Sequence, residues 1–456
     1  MPVVVAGAGV SGTAVVRALL DGGAVVTVLD PGRALPADLT ARVATRVVTL
    51  TRPPPGTRLV VASPGLRPAE PLLRAAARAG IDVISEVEFA WRIAPAPRRA
   101  AWLAVTGTNG KTTTVGMLAA ILAASGHRST AAGNIGPPLT EAVRAEPPYD
   151  VLAVELSSQQ LHYSPSIAPA ASAVLNIAPD HLDWHGSFEG YVADKRRIFH
   201  RDATNVFNAD DPAVRVLADG LPDTVGFTLG EPAPGALGVV GDRLVDRAFG
   251  VRVGDTAHPC GGAELRVVGE LTFPGRHNVA NALAAAALAR AYGLPARAVG
   301  VGLRGYQSAP HRNVVVGRVR GVSYVDDSKA TNPHAAAASL AAYRRVVWVA
   351  GGLLKGVDVD PLVASVTDRL AGVVLLGADR ELIAHAIARH APGLPVVKVH
   401  LGDDRAMVTA VRAAARLARP GDTVLLAPAA ASFDMFTGFA ARGDAFAAAV
   451  RALAQE

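Results

Sequence analysis

Apolar, β-branched runs alternate with Ala- and Leu-rich segments along almost the whole chain. Runs such as PVVVA, WLAVTG and RRVVWVAGG have the length of strands, whereas VGMLAAILAASG has the length and composition of a helix. Strands that alternate with helices indicate largely parallel sheets covered by helices. The pattern therefore predicts the α/β class. A Gly-rich region between about 204 and 270 is expected to add short antiparallel strands at an edge.

The chain has 456 residues, which is too many for one ordinary core. The Pro- and Arg-rich stretch from Arg92 to Trp102 is typical of a linker. A further set of strand and helix patterns begins after GYQSAPHRN. We therefore predict three domains, over residues 1–96, 97–308 and 309–456.

The composition excludes disulfide-rich proteins and indicates where in the cell the protein is expected. Half of the residues are hydrophobic, and the single cysteine, Cys260, excludes a disulfide framework and fits a reducing compartment. The N-terminus lacks the basic stretch of a secretory signal, and no run of eighteen apolar residues appears. We expect a cytoplasmic protein without a membrane span.

The net charge of +6 raises the question of a nucleic-acid partner. The arginines, however, are scattered along Ala-rich helices, and aromatic residues make up only 5% of the chain. Basic patches interleaved with aromatic residues are missing. We therefore expect no nucleic-acid partner, and small anionic substrates instead.

The segment AVTGTNGKTTT, Ala104 to Thr114, lies between a predicted strand and a predicted helix. Gly110, Lys111 and Thr112 match the end of the phosphate-binding pattern G-x-x-x-x-G-K-S/T, but Val105 stands where its first glycine should be. Backbone N–H groups at such a helix start bind phosphate, the lysine neutralises outer phosphates and the hydroxyl reaches Mg²⁺. The segment predicts a nucleotide site, with a chance match as the alternative.

A second glycine pattern, GAGVSG, follows the first strand, and Asp30 ends the next one. This arrangement is typical of a turn that approaches a diphosphate, with an acidic residue for a ribose hydroxyl. A merely tight turn between strand and helix is the alternative. If the site is real, it holds a diphosphate that need not belong to NAD.

Polar residues follow the strands of the middle region. Glu155 ends a strand, in the position of a Mg²⁺ ligand beside a phosphate loop. In NIAPDHLDWHG, His181 is placed to bind the same ion or a second one. For Asp183 and His185 a solvated turn is an equally good interpretation. Lys195 lies on a predicted amphipathic helix, where spacing alone predicts an ordinary surface lysine.

The last region places cations and hydroxyls at strand ends or in loops. The carboxyl edge of an open sheet is where such folds bind ligands, and this set suits a small dicarboxylate. The residues are Arg312, Lys329, Lys355 and Ser432.

Taken in order, these motifs resemble the ATP-dependent Mur ligases of peptidoglycan synthesis. The matching segments are GTNGKTTT, AGNIG (Ala132 to Gly136), ELSSQQL, DHLDWHG, YVADKRRIF, GRHNVANALAA, DDSKATNP and SFDMFTGFAARGDAF. DSKATN and the closing segment resemble the branch of the family that adds D-glutamate to UDP-N-acetylmuramoyl-L-alanine. The phosphate loop of this family dispenses with the first glycine, which accounts for Val105.

The resemblance implies a Rossmann-like N-terminal domain for the UDP-sugar, a central P-loop-type mononucleotide-binding domain for ATP and Mg²⁺, and a Rossmann-like C-terminal domain for the amino acid and part of the ATP site. It implies UDP-sugar contacts from Val10, Ser11, Gly12, Thr13, Asp30, Arg33, Asn134 and His181. It implies ATP contacts from Gly107, Thr108, Asn109, Gly110, Lys111, Thr112, Thr113, Asn278, Asn281, Arg312 and Asp327.

The resemblance also implies the chemistry. D-Glutamate is expected at Thr331, Lys355, Ser432 and Phe439, and catalytic roles are expected for Lys111, Lys195, His181 and Lys329. Two Mg²⁺ ions are expected at Thr112, Glu155, His181 and Lys195, the last as a carbamate formed with CO₂. Leu353 and Leu354 depart from the family before Lys355, where a polar residue is often found.

The implied enzyme is a monomer with small-molecule substrates that forms an amide through an acyl phosphate and releases ADP and phosphate. A folylpolyglutamate ligase of the same superfamily is one alternative, although it has no need of a diphosphate turn at residue 7. An NAD-dependent oxidoreductase built on GAGVSG leaves GKTTT and Lys329 without a role. A non-catalytic P-loop regulator is the third alternative.

Overall fold

The computed structural model describes residues 1–30, 35–47, 49–95, 99–252, 255–271, 275–307, 310–400 and 405–455. Its described strands form three sheets, each covered by helices, so the predicted α/β class is confirmed. The chain divides into two compact units. One comprises Met1–Leu271 with Val279–Tyr306, and the other comprises Thr272–Asn278 with Gln307–Glu456.

The N-terminal sheet is parallel and has the strand order β3-β2-β1-β4-β5. Its strands are β1 (Pro2–Ala6), β2 (Val25–Leu29), β3 (Thr45–Val47), β4 (Leu59–Ala62) and β5 (Asp82–Ile84). Its helices are α1 (Val10–Asp21), α2 (Ala37–Thr40), α3 (Pro71–Arg78) and α4 (Glu86–Ile93). The order reverses at β1, so the turn after β1 lies where such sheets bind ligands.

The central sheet has the order β14-β15-β13-β12-β11-β10-β9-β6-β8-β7. Its strands are β6 (Ala101–Thr106), β7 (Ser129–Gly133), β8 (Val151–Glu155), β9 (Ala171–Val174), β10 (Thr204–Asn208), β11 (Thr224–Phe227), β12 (Ala236–Val240), β13 (Arg243–Asp246), β14 (Thr256–Ala257) and β15 (Ala263–Val267). The strands from β12 to β15 pair antiparallel, which confirms the edge expected from the Gly-rich region.

The helices of the central region follow the strands and cover both faces of the parallel part of the sheet. They are α5 (Lys111–Ala124), α6 (Leu139–Ala142), α7 (Ser158–His162), α8 (Leu182–His185), α9 (Phe188–Arg196), α10 (Pro212–Ala218), α11 (Arg276–Ala291) and α12 (Ala296–Gly305). β6 lies between β8 and β9, and Val105 pairs with Glu155 on one side and Ala173 on the other. The loop after β6 therefore begins in the middle of the sheet.

The C-terminal sheet has the order β16-β17-β21-β18-β19-β20, parallel except for its β16 edge. Its strands are β16 (Val314–Val319), β17 (Val322–Asp326), β18 (Val346–Gly351), β19 (Leu370–Leu376), β20 (Val396–Lys398) and β21 (Thr423–Leu426). Its helices are α13 (Pro333–Leu340), α14 (Asp360–Val366), α15 (Arg380–His390), α16 (Ala406–Leu417) and α17 (Phe439–Leu453). Buried apolar clusters on the two faces hold the layers together.

Helices long and apolar enough to cross a membrane were sought throughout the described ranges, and none was found.

Candidate active site

The phosphate loop turns at Gly107 and Gly110. Neither is the first glycine of the phosphate-binding pattern, whose place is taken by Val105. Gly107 has φ 151° and Gly110 has φ 85°, in the region that favours glycine. A Cβ at Gly107 would lie 3.0 Å from the Leu175 Cβ. Val105, by contrast, is a fully buried residue of β6. A glycine is not needed at position 105 because the chain is still a strand there.

Two residues that sequence reasoning did not single out fasten this loop. Asn176 accepts the Asn109 N–H at 2.8 Å and donates to the Asn109 carbonyl at 3.0 Å. The Thr108 hydroxyl accepts the Ala178 N–H at 2.9 Å and lies 2.8 Å from the Tyr191 hydroxyl. Tyr191 lies inside YVADKRRIF, a motif of the family resemblance, and Asn176 begins the polar loop NIAPDHLDWHG; these are the signals that could have found them.

Lys195 is buried, so its interpretation as a surface lysine is wrong. Its side chain is only 2% exposed, because α9 packs Tyr191, Asp194 and Lys195 inward. Its Nζ donates to the Gly107 carbonyl at 2.8 Å, and the Lys111 Nζ donates to the same oxygen at 2.8 Å. Burial and then the Lys111 charge hold the pKa of Lys195 well below its usual range, against the influence of nearby carboxylates.

Glu155 joins two of the predicted ligand-binding residues. Its carboxylate, at the end of β8, is 2% exposed. One oxygen accepts the Thr112 hydroxyl at 2.7 Å and the other accepts the Asn134 amide at 2.8 Å. The structure thus brings together residues from α5, from β8 and from the loop after β7. A hydroxyl and a carboxylate are hard oxygen donors, which fit Mg²⁺.

His181 is the N-cap residue just before α8 and has a left-handed conformation, with φ 51°; its side chain is 46% exposed. Its Nε2 lies 3.7 Å from the Asp180 carboxylate. The described residues contain no group of three or more His, Cys, Asp or Glu side chains suited to a metal ion. A metal in this part of the molecule would need other donors as well, such as the Thr112 hydroxyl or phosphate oxygens.

The histidine-rich loop beyond His181 separates into an exposed and a buried residue. Asp183 is exposed and pairs with Arg67 at 2.8 Å. The His185 side chain is fully buried, with Nδ1 2.9 Å from Asp194 and Nε2 2.9 Å from the Ser158 hydroxyl. Burial opposes ionisation of Asp194, but hydrogen bonds from His162 and His185 outweigh it and lower the Asp194 pKa to about 2. The solvated-turn interpretation therefore holds for Asp183 and is wrong for His185.

The GAGVSG turn leads directly into α1, whose first turn contains four of the predicted UDP-sugar contacts. These are Val10, Ser11, Gly12 and Thr13, and Val10 is 72% exposed. The Asp30 carboxylate accepts the Ala8 N–H at 2.6 Å and is largely buried, so it braces the turn. Arg33, the remaining predicted contact of this domain, lies outside the described residues.

The two predicted adenine-nucleotide contacts of α11, Asn278 and Asn281, are both buried, at 7% and 6% exposure. Asn281 lies against the phosphate loop. Its Oδ1 is so close to Gly110 that a Cβ at that position would lie only 2.3 Å away. A glycine at position 110 therefore serves both the backbone turn and the close approach of this amide.

In the C-terminal unit, predicted phosphate-contacting residues follow β17. Burial raises the pKa of Asp327 to about 6, with Arg312 among the groups that oppose the shift. The Lys329 Nζ lies 4.0 Å from the centroid of the Phe439 ring, a cation–π distance. His311, next to Arg312, pairs with Asp326 at 2.7 Å.

Three of the four predicted glutamate residues lie on three neighbouring loops of this unit, and the fourth, Phe439, is the first residue of α17. Thr331 follows β17, Lys355 follows β18 in a left-handed conformation with φ 56°, and Ser432 follows β21 and is 2% exposed. Leu353 pairs with Ala431 and joins two of these loops, while Leu354 is a buried core residue. The leucines before Lys355 therefore have structural roles.

Comparison with known proteins identifies the class. Residues 1–85 match the Mur ligase MurD-like N-terminal domain, residues 105–289 the Mur ligase middle domain and residues 311–430 the Mur ligase glutamate ligase domain. This chain belongs to the Mur ligase family, and the expected three-domain architecture is confirmed.

Curated relatives match over nearly the full length. The UDP-N-acetylmuramoylalanine–D-glutamate ligase of Thermobifida fusca is 55% identical over 99% of this chain and 98% of its own. The protein of the same name from Streptomyces avermitilis is also 55% identical, with the same coverage of both chains.

Solved structures share the fold at low sequence identity. MurF from Acinetobacter baumannii is 18% identical, with a TM-score of 0.61 over 94% of this chain and 91% of its own. The folylpolyglutamate synthase of Mycobacterium tuberculosis is 19% identical, with a TM-score of 0.55 over 79% and 92%. At such identities the likeness concerns the fold alone.

Proposed function

We propose that this protein is an ATP-dependent ligase that adds D-glutamate to UDP-N-acetylmuramoyl-L-alanine in peptidoglycan precursor synthesis. The observation that carries the chemistry is the phosphate loop, where Lys111 lies beside the hydrogen-bonded Thr112 and Glu155. The full-length relatives at 55% identity support the choice of substrates. A folylpolyglutamate ligase is less well supported, because the likeness to that synthase is at fold level only.

The first step activates the substrate acid. The L-alanyl carboxylate attacks the γ-phosphorus of ATP, a bond forms between its oxygen and that phosphorus, and ADP leaves with the electrons of the broken bond. The Lys111 ammonium donates hydrogen bonds to the Gly107 and Thr108 carbonyls. Charged phosphate oxygens are stronger acceptors for it than these neutral carbonyls. The N–H groups at the start of α5 bind the phosphates.

The second step forms the amide. The neutral amine of D-glutamate attacks the acyl-phosphate carbonyl, and inorganic phosphate leaves the tetrahedral intermediate while the nitrogen loses a proton. We propose that Thr331, Lys355, Ser432 and Phe439 hold the amino acid, with Lys329 and Arg312 near the phosphates. No protein nucleophile takes part, so the main contribution of the protein is to orient the reactants.

Mur ligases use ATP and Mg²⁺. We propose Thr112 and Glu155 as ligands of one Mg²⁺ ion, and His181 and Lys195 as ligands of a second. Bound there, the metal would neutralise charge on the transferring phosphoryl group. Asn278 and Asn281 are proposed to contact the adenine nucleotide.

We further propose that Lys195 carries a carbamate. Its neutral amine attacks CO₂, a nitrogen–carbon bond forms, and a proton is released, which turns a cation into an anionic oxygen ligand. Its burial and the nearby Lys111 both favour the neutral amine that this reaction needs. A permanently charged lysine buried against the Gly107 carbonyl and the Thr106 hydroxyl would have no carboxylate partner among the hydrogen bonds described for it.

We propose domain limits of 1–96, 97–308 and 309–456, with UDP-sugar bound by the α1 turn, Asp30, Arg33, Asn134 and His181. We also propose a cytoplasmic monomer.

Phosphate release tests the proposed reaction. Purified protein is mixed with ATP, Mg²⁺ and UDP-N-acetylmuramoyl-L-alanine, and D-glutamate, L-glutamate or no amino acid is added. We expect phosphate release and a new dipeptidyl product with D-glutamate only. Product with folate substrates, or NAD(H) oxidation or reduction in place of phosphate release, would support one of the alternatives.

A further inference from the structure

Arg442 is a buried arginine in α17 whose part in the reaction is not explained by any of the proposed ligand contacts. Arg442 is only 1% exposed, and it forms no ion pair within 4 Å in the described part of the chain. Burial lowers the pKa of Arg442 to about 10, against the influence of Asp434 and Asp326. The guanidinium is therefore still charged at neutral pH, deep in the C-terminal unit.

The hydrogen bonds of Arg442 reach two loops and the last residue of β18, from which a third loop starts. Nε donates to the Ser328 hydroxyl at 3.0 Å and Nη2 to the Ser328 carbonyl at 2.9 Å. Nη1 donates to the Ala430 carbonyl at 3.1 Å and to the Gly351 carbonyl at 3.3 Å. One planar group thus joins the loop after β17, the end of β18 and the loop after β21.

The same three loops carry three of the proposed glutamate residues. Thr331 comes three positions after Ser328, Lys355 four positions after Gly351, and Ser432 two positions after Ala430. A shift in any one of these carbonyls would move a glutamate contact relative to the other two. The Arg442 side chain itself is buried beneath the loops and needs no contact with the amino acid.

The start of α17 is built to place this guanidinium. The Ser328 hydroxyl donates to the Phe439 carbonyl at 2.7 Å, which ties the first residue of the helix to the same loop. A Cβ at Gly443 would lie 2.1 Å from the His311 Nδ1 and 2.7 Å from the Asp326 carboxylate. Glycine at 443 therefore lets the helix approach closely enough for Arg442 to reach all three loops.

We propose that Arg442 is a positioning residue for the amino-acid substrate, which sets the spacing of Thr331, Lys355 and Ser432 by holding their loops through one guanidinium. The inference rests on the proposed function. Its physical basis is the rigid fork of donors in arginine, which a lysine ammonium cannot reproduce because it is a single point at the end of a flexible chain.

Arg442→Lys tests the proposal, with Arg451→Lys as a matched control, because Arg451 is an exposed residue of the same helix. We expect the KM for D-glutamate to rise by about tenfold or more, while the KM values for ATP and UDP-N-acetylmuramoyl-L-alanine stay within about twofold. If the variant only contained less folded protein, its apparent kcat would fall and all three KM values would stay unchanged. The control is expected to match wild type.

Ser328→Ala is the second variant. It removes the hydroxyl that accepts from Arg442 and donates to the Phe439 carbonyl, and it leaves the Ser328 carbonyl in place for Arg442. We expect a smaller rise in the D-glutamate KM, about two- to fivefold, with the other two KM values unchanged. If Arg442→Lys does not fold, a D-glutamate KM of Ser328→Ala within about twofold of wild type would overturn the positioning role.

A D-glutamate KM within about twofold of wild type in a folded Arg442→Lys protein would overturn the positioning role. So would an equal rise in all three KM values. The wild-type assay separates this inference from the proposed function. If wild type does not turn over D-glutamate, the proposed function fails, and the same comparison of KM values is made with the amino acid that wild type does use.

Discussion

The Lys111 Nζ donates to two carbonyl oxygens, at 2.8 Å to Gly107 and 3.0 Å to Thr108. Those acceptors are neutral, and a phosphoryl group that gains charge during transfer interacts with the ammonium more strongly. Lys111→Ala should therefore lose transition-state stabilisation. We expect kcat to fall more than about tenfold, which corresponds to about 1.4 kcal/mol.

The measurement is the initial rate of phosphate release under saturating substrates, with circular dichroism to confirm the fold. Lys398→Ala serves as control, because Lys398 is an exposed lysine paired with Glu381. A Lys111→Ala protein that keeps more than about a tenth of wild-type kcat would contradict the assigned role.

Lys195 offers a sharper test at the same scale, because a carbamate and a structural ammonium respond differently to substitution. Lys195→Arg should be inactive, since a guanidinium keeps its charge and does not react with CO₂. Lys195→Ala should also be inactive, and a short carboxylic acid such as acetate should restore part of its activity by occupying the space.

Carbon-13 NMR gives an independent readout of Lys195. After addition of ¹³C-bicarbonate, we expect a carbamate resonance in wild type that is absent from Lys195→Arg. Near wild-type activity of Lys195→Arg, or the same resonance in both proteins, would show that the second metal site is wrongly assigned.

At the scale of elements, the turn at Gly107 connects β6 to α5 in a conformation that L-residues rarely adopt. Gly107→Ala would force a Cβ to within 3.0 Å of Leu175 at φ 151°, at a cost of about 1–3 kcal/mol. We expect a loss of ATP affinity, measured by calorimetry, together with a lower melting temperature. Gly269→Ala is the control, because a Cβ there meets nothing within 4 Å.

A buried carboxylate joins α4 to the start of α6. Glu86 is 3% exposed, and its Oε1 accepts the Thr140 N–H at 2.6 Å, while its Oε2 has no hydrogen-bond partner among the described residues. Burial raises the pKa of Glu86 above its usual value of 4.5, even though Thr140 opposes the shift. Because the pKa of Glu86 is higher in the folded state than in the unfolded state, protonation of Glu86 favours folding. This contribution to stability is fully present below the unfolded pKa and is lost as the pH rises through the folded pKa.

Glu86→Gln should remove this pH dependence, because the amide keeps an acceptor for Thr140 and does not ionise. We expect the melting temperature of the variant, relative to wild type, to be higher at about pH 8 than at about pH 5. Glu189→Gln, at an exposed position, should show no such trend. A difference that is constant with pH would mean that Glu86 titrates as an ordinary carboxyl.

The sequence predicted those parts of the site that depend on local patterns. Lys111, Thr112 and Glu155 lie at strand ends and helix starts that periodicity can locate, and their proximity follows from parallel strands that end at one edge. The burial of His185 on α8, Lys195 on α9 and Arg442 on α17 does not follow from the sequence, because it depends on the elements packed against these helices. Burial of a cation against carbonyls depends on three-dimensional neighbours, such as Gly107 for Lys195 and Ser328 for Arg442, that spacing cannot reveal.

At the scale of the whole molecule, two glycine turns on two different sheets are proposed to bind two different nucleotides. The turn after β1 leads into α1, and the turn after β6 leads into α5. Gly9 caps α1 with φ −66° and ψ −171°, a conformation that valine also adopts. Gly9→Val therefore adds a branched side chain where a diphosphate would approach, without straining the backbone.

Calorimetry with the two nucleotides tests this division in the same protein. Gly9→Val should weaken binding of UDP-N-acetylmuramoyl-L-alanine by about tenfold or more, about 1.4 kcal/mol, and leave ATP binding unchanged. Lys111→Ala should do the reverse, and in the double variant each loss should match that of its single variant to within about 0.5 kcal/mol, as expected for independent sites. Equal weakening of both nucleotides by Gly9→Val would mean that the turn after β1 supports the fold as a whole, and the two-site scheme would be wrong.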